Sequence, residues 1–126
     1  MLLRSGGHEA AHYALVVATG AAAVGRPVVL FATNGGCRLL LRQAPLLADA
    51  REALLESRGV AGIATLWEAA AELGIRRIAC EAGLRAEAIA PAELAEGWRW
   101  PASSPSWPRW GRARCWRYKD AATLHR

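Results

Sequence analysis

The sequence predicts an α/β domain with a mostly parallel sheet and helices on both faces. Residues 28–33 form a β-branched and aromatic run with no alternation, which is typical of a strand buried on both faces. Residues 9–24 and 63–73 keep a helical spacing of apolar side chains. A second short strand is predicted at 75–80. Strands that alternate with helices indicate a parallel sheet with right-handed crossovers.

The composition is that of one globular domain. The chain has 126 residues, of which 53% are hydrophobic and 21% charged, so a disordered chain is excluded. No apolar run has the length of a bilayer span, and no signal-peptide pattern is present. Three widely spaced cysteines do not indicate a disulfide framework. We therefore expect a cytoplasmic protein that does not bind membranes and needs no cofactor.

The charge divides the chain into two parts. Residues 1–96 contain nine arginines and ten acidic residues, whereas residues 97–126 contain seven basic residues and one acidic residue. The net charge of +5 therefore belongs to the tail, which also contains five of the six tryptophans. The sequence predicts a folded domain at 1–96 and a separate basic, Trp/Pro-rich tail at 97–126.

The first half of the domain begins with the end of a strand at 1–4 and a loop at 5–8. The Ala-rich helix 9–24 follows, and its small residues predict close packing against the sheet. After the strand 28–33, an Asn-Gly-Gly loop occupies 34–36.

The second half continues with a helical turn at 37–42 and a helix at 48–57. The helix 63–73 then leads into the strand 75–80, and a short helix is predicted at 84–89. Each loop that follows a strand lies at the same edge of a parallel sheet, so we expect these loops to share a pocket.

Cys80 is the candidate reactive residue, because it ends a strand and precedes a helix, whose amino terminus favours a thiolate. The alternative is an inert buried thiol. Glu81 would oppose ionisation of Cys80, whereas Arg85 would favour it if it folded back. Cys37 is either a resolving cysteine or inert, and we favour the inert interpretation. Cys115 receives no role.

The loop before the first helix offers free backbone N–H groups for an anion, although a tight turn explains the same residues. His8 and His12 have the spacing of metal ligands, but no third ligand is apparent, so no metal site is predicted. The Asn-Gly-Gly loop is a turn or a pocket wall. Besides Cys80, the predicted pocket comprises Ser5, Gly6, Gly7, His8, Asn34, Gly35 and Glu81.

Three segments carry a family resemblance: SGGHEAAHYAL at 5–15, GRPVVLF at 25–31 and GIRRIAC at 74–80. Together they resemble the DsrE/DsrF-like family of small sulfur-handling proteins over residues 2–96. The resemblance implies a flavodoxin-like three-layer sandwich, assembly into trimers or hexamers, and sulfur relay between donor and acceptor proteins. Cys80 matches the cysteine that carries sulfur as a persulfide in active members.

Two functions follow as predictions. The first is a sulfur carrier or sulfurtransferase-like protein that holds a persulfide on Cys80. The second is a non-catalytic oligomeric module of the same fold for binding or assembly, in which Cys80 is incidental.

The tail does not continue the family pattern, which implies two further apolar strands. Its prolines at 101, 105 and 108 make a strand improbable. One back-translation of 97–107, read in another frame, encodes Val-Glu-Val-Ala-Gly-Ile-Val-Thr-Phe-Leu, which is a buried-strand sequence. We therefore hypothesise a frameshift from about Trp98. The alternative is a genuine tail for an acidic partner, a membrane surface or nucleic acid. We expect no nucleic-acid partner.

Overall fold

A parallel three-stranded sheet is the centre of the fold. The structure is a computed structural model that describes residues 1–97. Strands β1 (Leu2–Leu3), β2 (Val29–Ala32) and β3 (Arg76–Ala79) lie in the order β1-β2-β3. Phe31 of β2 is in register with Leu2 on one side and Ile78 on the other. The predicted α/β class with a parallel sheet is therefore confirmed.

Helices occupy most of the chain between and after the strands. The first helix begins one residue before its predicted start, and the third begins where it was predicted. The α-helices are α1 (His8–Ala23), α2 (Ala50–Ser57), α3 (Ile63–Glu72) and α4 (Glu81–Ala86), and 3-10 helices lie at Asn34–Leu40, Pro45–Ala48 and Pro91–Glu93.

Two predicted helices are in different places in the structure. The turn predicted at 37–42 is a 3-10 helix that already begins at Asn34. The helix predicted at 84–89 is α4, which begins directly after Cys80 and ends at Ala86. The prediction was wrong because Gly83 resembles a turn residue, whereas it lies inside α4 and is buried there.

The core lies between the sheet and the helices that pack on it. On α1, Ala11, Leu15 and Ala18 are fully buried, and α1 contacts α3 closely. The small side chains of α1 allow this approach. The sequence predicted that they pack against the sheet, whereas the most extensive contact of α1 is with α3. Among residues 1–97, the largest fully buried side chains are Leu15, Leu30, Leu40, Leu84 and Cys37.

The three described strands follow one another across the sheet in the order of the sequence, so this part of the sheet has no reversal of strand order, which is what defines a topological switch point. Among residues 1–97, β1 pairs only with β2, and Leu2 is 57% exposed. No helix in this part of the chain combines the length and the apolar character needed to cross a bilayer. The tail from Trp98 onward lies outside the described residues, so both interpretations of it stay predictions.

Candidate functional site

Cys80 lies where the carboxyl end of β3 meets the start of α4. Its backbone N–H donates to the Ala32 carbonyl of the central strand at 2.8 Å, and its own carbonyl accepts from the N–H of Leu84 at 2.9 Å. The residue is half-buried and its thiol is free. Sheet and helix therefore fix the backbone of Cys80 from both sides while its side chain stays accessible.

Hydrogen bonds favour the thiolate of Cys80. Burial opposes its ionisation, but the Thr33 hydroxyl and the N–H groups of Gly83 and Ala82 donate to the sulfur and lower its pKa below the ordinary value. The carboxylate of Glu81 acts in the opposite direction. Because the donors outweigh burial and Glu81 together, Cys80 ionises more readily than an ordinary cysteine.

Arg85 does not take the role that the sequence suggested. Its guanidinium lies 2.6 Å from the Glu81 carboxylate, one turn earlier on α4. The arginine therefore pairs with Glu81 at the surface, and the activation of the thiol comes from hydrogen-bond donors instead.

Thr33 is a residue of the site that the sequence analysis missed. It follows β2 directly, so it lies at the carboxyl edge of the sheet next to the end of β3. Gly83 allows α4 to come this close: a Cβ atom on Gly83 would lie 2.7 Å from Thr33 Oγ1 and 2.5 Å from the Asn34 nitrogen. The missing side chain of Gly83 thus brings the helix start, Thr33 and the Asn-Gly-Gly loop together.

Cys37 is the second thiol near this position, and it is fully buried. Its Sγ donates to the Ala32 carbonyl oxygen at 3.7 Å, the same oxygen that accepts from the N–H of Cys80. Burial, followed by the charges of Cys80 and Glu87, raises the pKa of Cys37 to about 11. The two neighbouring cysteines therefore differ in character, since Cys80 ionises readily and Cys37 stays a thiol.

The two glycine-containing loops contact each other. A Cβ atom on Gly6 would lie 2.5 Å from the Gly35 carbonyl oxygen, and one on Gly35 would lie 2.9 Å from the Gly6 nitrogen. The N–H of Gly36 donates to the Arg4 carbonyl at 3.0 Å. Asn34 has a φ of 48°, in the left-handed region. Close backbone packing accounts for these glycines without a ligand.

The polar residues of the first loop bond within the protein. His8 is buried, and its Nε2 lies 2.5 Å from Glu52 Oε1. Both oxygens of Glu52 also accept from the N–H of Ile63, at 3.0 and 3.2 Å, at the start of α3. Ser5 Oγ accepts from the N–H of Gly7 at 3.4 Å. His8 therefore joins α1 to α2 and α3 through a carboxylate, a contact 44 residues apart in sequence.

The His8 and His12 rings are stacked, with centroids 5.9 Å apart and an interplanar angle of 11°. His12 Nε2 lies 2.8 Å from the Ala61 carbonyl oxygen, and His8 Nδ1 is buried with no hydrogen-bond partner among residues 1–97. In the same part of the chain, no three His, Cys, Asp or Glu side chains form a group that suits a metal ion.

Comparison with known proteins does not assign the chain to a family. No protein-family model matches it, and no curated protein matches it either. The resemblance to the DsrE/DsrF-like family therefore stays a prediction, and the site is interpreted from its own geometry and chemistry.

Proposed function

We propose that this protein is a small sulfur carrier that holds sulfur as a persulfide on Cys80. The observation that carries the proposal is the half-buried Cys80 sulfur, which three donors favour as a thiolate at the carboxyl edge of the sheet. Thiolates are the nucleophiles of sulfur exchange, and a half-buried sulfur admits a donor while it limits oxidation.

The chemistry needs no cofactor. The Cys80 thiolate attacks the outer sulfur of a donor persulfide, a new S–S bond forms, and the donor leaves as a thiolate. An acceptor thiolate then attacks the outer sulfur on Cys80 and takes it, so that Cys80 leaves as a thiolate again. Thr33 and the N–H groups of Ala82 and Gly83 stabilise that leaving group, which speeds the second step.

We also propose a three-layer sandwich with a doubly wound sheet. The described order, read backwards, is 3-2-1, which is the first half of the doubly wound order 3-2-1-4-5-6, in which the next strand lies beside β1. The flavodoxin-like order 2-1-3-4-5 would instead place β1 between β2 and β3. The exposed edge of β1 is where such a strand would pair.

A frameshift from about Trp98 would remove that further strand from the protein. Resequencing the gene tests this, and an intact frame contradicts the frameshift hypothesis.

Assembly into trimers or hexamers in the cytoplasm is part of the proposal. The exposed apolar side chains of α1 and of the residue that follows it support the assembly, because a subunit contact would cover them; they are Tyr13, Val16, Val17 and Val24. Both described cysteines are free, as a reducing compartment requires. Light scattering on the full chain measures the oligomeric state, and a monomer at micromolar concentration contradicts the assembly.

Mass spectrometry of the intact protein after treatment with a persulfide donor tests the function. We expect a gain of one sulfur atom that maps to Cys80 and is absent from Cys80→Ser. Transfer of that sulfur to a small acceptor thiol should restore the original mass. A folded protein that gains no sulfur contradicts the carrier function.

The second candidate function is a non-catalytic binding or assembly module. The packing of the first loop favours it, because the Gly6–Gly35 contact and the His8–Glu52 pair give these loop residues structural roles. This function predicts that Cys80→Ser leaves the oligomeric state unchanged and that the wild-type protein does not load sulfur.

A further inference from the structure

The two described cysteines contact the same carbonyl oxygen, Cys80 through its backbone N–H and Cys37 through its sulfur. The Ala32 oxygen accepts from the N–H of Cys80 at 2.8 Å and from the Sγ of Cys37 at 3.7 Å. The 3-10 helix that contains Cys37 packs against α4, which begins directly after Cys80. The cysteines are distant in sequence, and the fold makes them neighbours.

Cys80 and Cys37 differ in accessibility, and this difference limits what each sulfur can react with. Cys80 is half-buried and can meet a sulfur donor, whereas Cys37 is fully buried and cannot meet a second protein. Any reaction partner of Cys37 must therefore come from inside the molecule. Cys80 is the other cysteine at this place, and its negative charge already acts on Cys37.

We propose that Cys37 is the resolving thiol of the Cys80 site and discharges its persulfide as hydrogen sulfide. This inference rests on the proposed function. The Cys37 thiolate attacks the inner sulfur of the Cys80 persulfide, a Cys37–Cys80 disulfide forms, and the bond to the outer sulfur breaks. The outer sulfur leaves as hydrosulfide, which takes up the proton that Cys37 lost. Two molecules of a reducing thiol, or one dithiol, then regenerate both cysteines and are themselves oxidised to a disulfide.

The reaction is slow at neutral pH, because burial and neighbouring charge keep Cys37 protonated. With a pKa of about 11, roughly one Cys37 in ten thousand is ionised at pH 7. An external acceptor therefore takes the sulfur first where one is present. Where none is present, the protein releases sulfide and closes its own disulfide. Cys37 thus limits the time for which sulfur is stored.

The test uses the full chain with Cys115→Ser as the parent, so that only Cys37 and Cys80 remain. The parent and its Cys37→Ser variant are loaded with inorganic polysulfide and freed of excess reagent. Sulfide release and intact mass are then followed over time. Serine is the matched substitution, because its hydroxyl can donate to the same Ala32 oxygen.

We expect the parent to release one sulfide per loaded protein and to end with a Cys37–Cys80 disulfide, two hydrogen atoms lighter than the reduced chain. Cys37→Ser should keep its added sulfur, with release at least about tenfold slower. The release rate of the parent should rise about tenfold per pH unit between pH 7 and 9, because the fraction of ionised Cys37 rises in that proportion.

Two results separate the failure of this inference from that of the proposed function. If both proteins load sulfur and hold it equally long, Cys37 does not resolve the persulfide, and the carrier function stands. If neither protein gains sulfur, the proposed function is wrong and the inference falls with it. A second check needs only the parent: the folded protein is treated with a thiol oxidant such as diamide. If no Cys37–Cys80 disulfide forms, the inference is also overturned.

Discussion

The connection from β1 to α1 and the connection from β3 to α4 leave the same edge of the parallel sheet. At the first connection, Gly6 packs on Gly35, and His8 at the start of α1 is buried against Glu52. At the second connection, Cys80 stays half-buried and receives donors from Thr33 and α4. Position after a strand is therefore not sufficient for a reactive site. The fold must also leave the reactive atom accessible and polarised.

The largest expected effect concerns the structural role of the His8–Glu52 pair at the start of α1. Glu52→Ala removes the partner of buried His8 and the acceptor for the N–H of Ile63. We expect a loss of about 3 kcal/mol in the free energy of unfolding, measured with urea. The alkylation rate of Cys80 in the folded protein should not change.

Arg51→Ala is the control for that variant, since it removes the exposed ion pair with Glu9 at 2.7 Å. Its cost should stay below about 1 kcal/mol. An equal loss in Glu52→Ala and Arg51→Ala would show that the His8–Glu52 pair does not stabilise the fold.

Gly83→Ala tests the surroundings of the reactive residue, Cys80. The added Cβ would meet the Asn34 nitrogen and Thr33 Oγ1, so α4 must move away. We expect a loss of about 2 kcal/mol in stability and slower alkylation of Cys80, because its donors move with the helix. Gly20→Ala is the matched control. Apart from the backbone of α1 itself, a Cβ atom on Gly20 would have no neighbouring atom within 4 Å, and the substitution should be neutral or stabilising by up to about 1 kcal/mol. Similar behaviour of the two variants would contradict the close packing of α4.

The buried thiol predicts a loss of stability in alkaline solution. The pKa of Cys37 is raised in the folded protein to about 11, so the unfolded chain loses this proton at lower pH than the folded protein does. The protonated Cys37 thiol stabilises the folded protein fully below about pH 8.5, which is the pKa of a cysteine in the unfolded chain. This stabilisation is lost as the pH rises to about 11. We expect the wild type to lose roughly 2 kcal/mol more than Cys37→Ala over this range. Parallel pH curves for the two proteins would contradict a raised pKa.

The smallest effect concerns one hydrogen bond. Thr33→Val keeps the shape of the side chain and removes its hydroxyl, so the pKa of Cys80 should rise. We expect alkylation near pH 7 to slow by about fivefold, as the loss of roughly 1 kcal/mol implies. Thr33→Ser retains a donor and should stay near the wild-type rate. A slow Thr33→Ser variant would mean that the methyl group, and not the hydroxyl, is the important part.

The local pattern of the sequence predicted the parallel sheet, helices α1 and α3, and the place of Cys80 at a strand end. Each depends on neighbours in sequence, such as the apolar run 28–33. The His8–Glu52 pair and the proximity of Cys37 to Cys80 depend instead on how the crossovers return to the sheet. Thr33 was missed because its role comes from the strand next to it in space.

The pH profile of alkylation, measured for each cysteine, tests most directly whether the fold makes Cys80 an accessible thiol that ionises readily and keeps Cys37 buried and protonated. Iodoacetamide is applied to the folded full chain from pH 5 to pH 10, and the modified peptides are quantified. We expect the midpoint for Cys80 to lie below the value of about 8.5 for a free cysteine, with Cys37 unmodified throughout this range. A midpoint for Cys80 at or above that value, or equal modification of both cysteines in folded protein, would contradict the account.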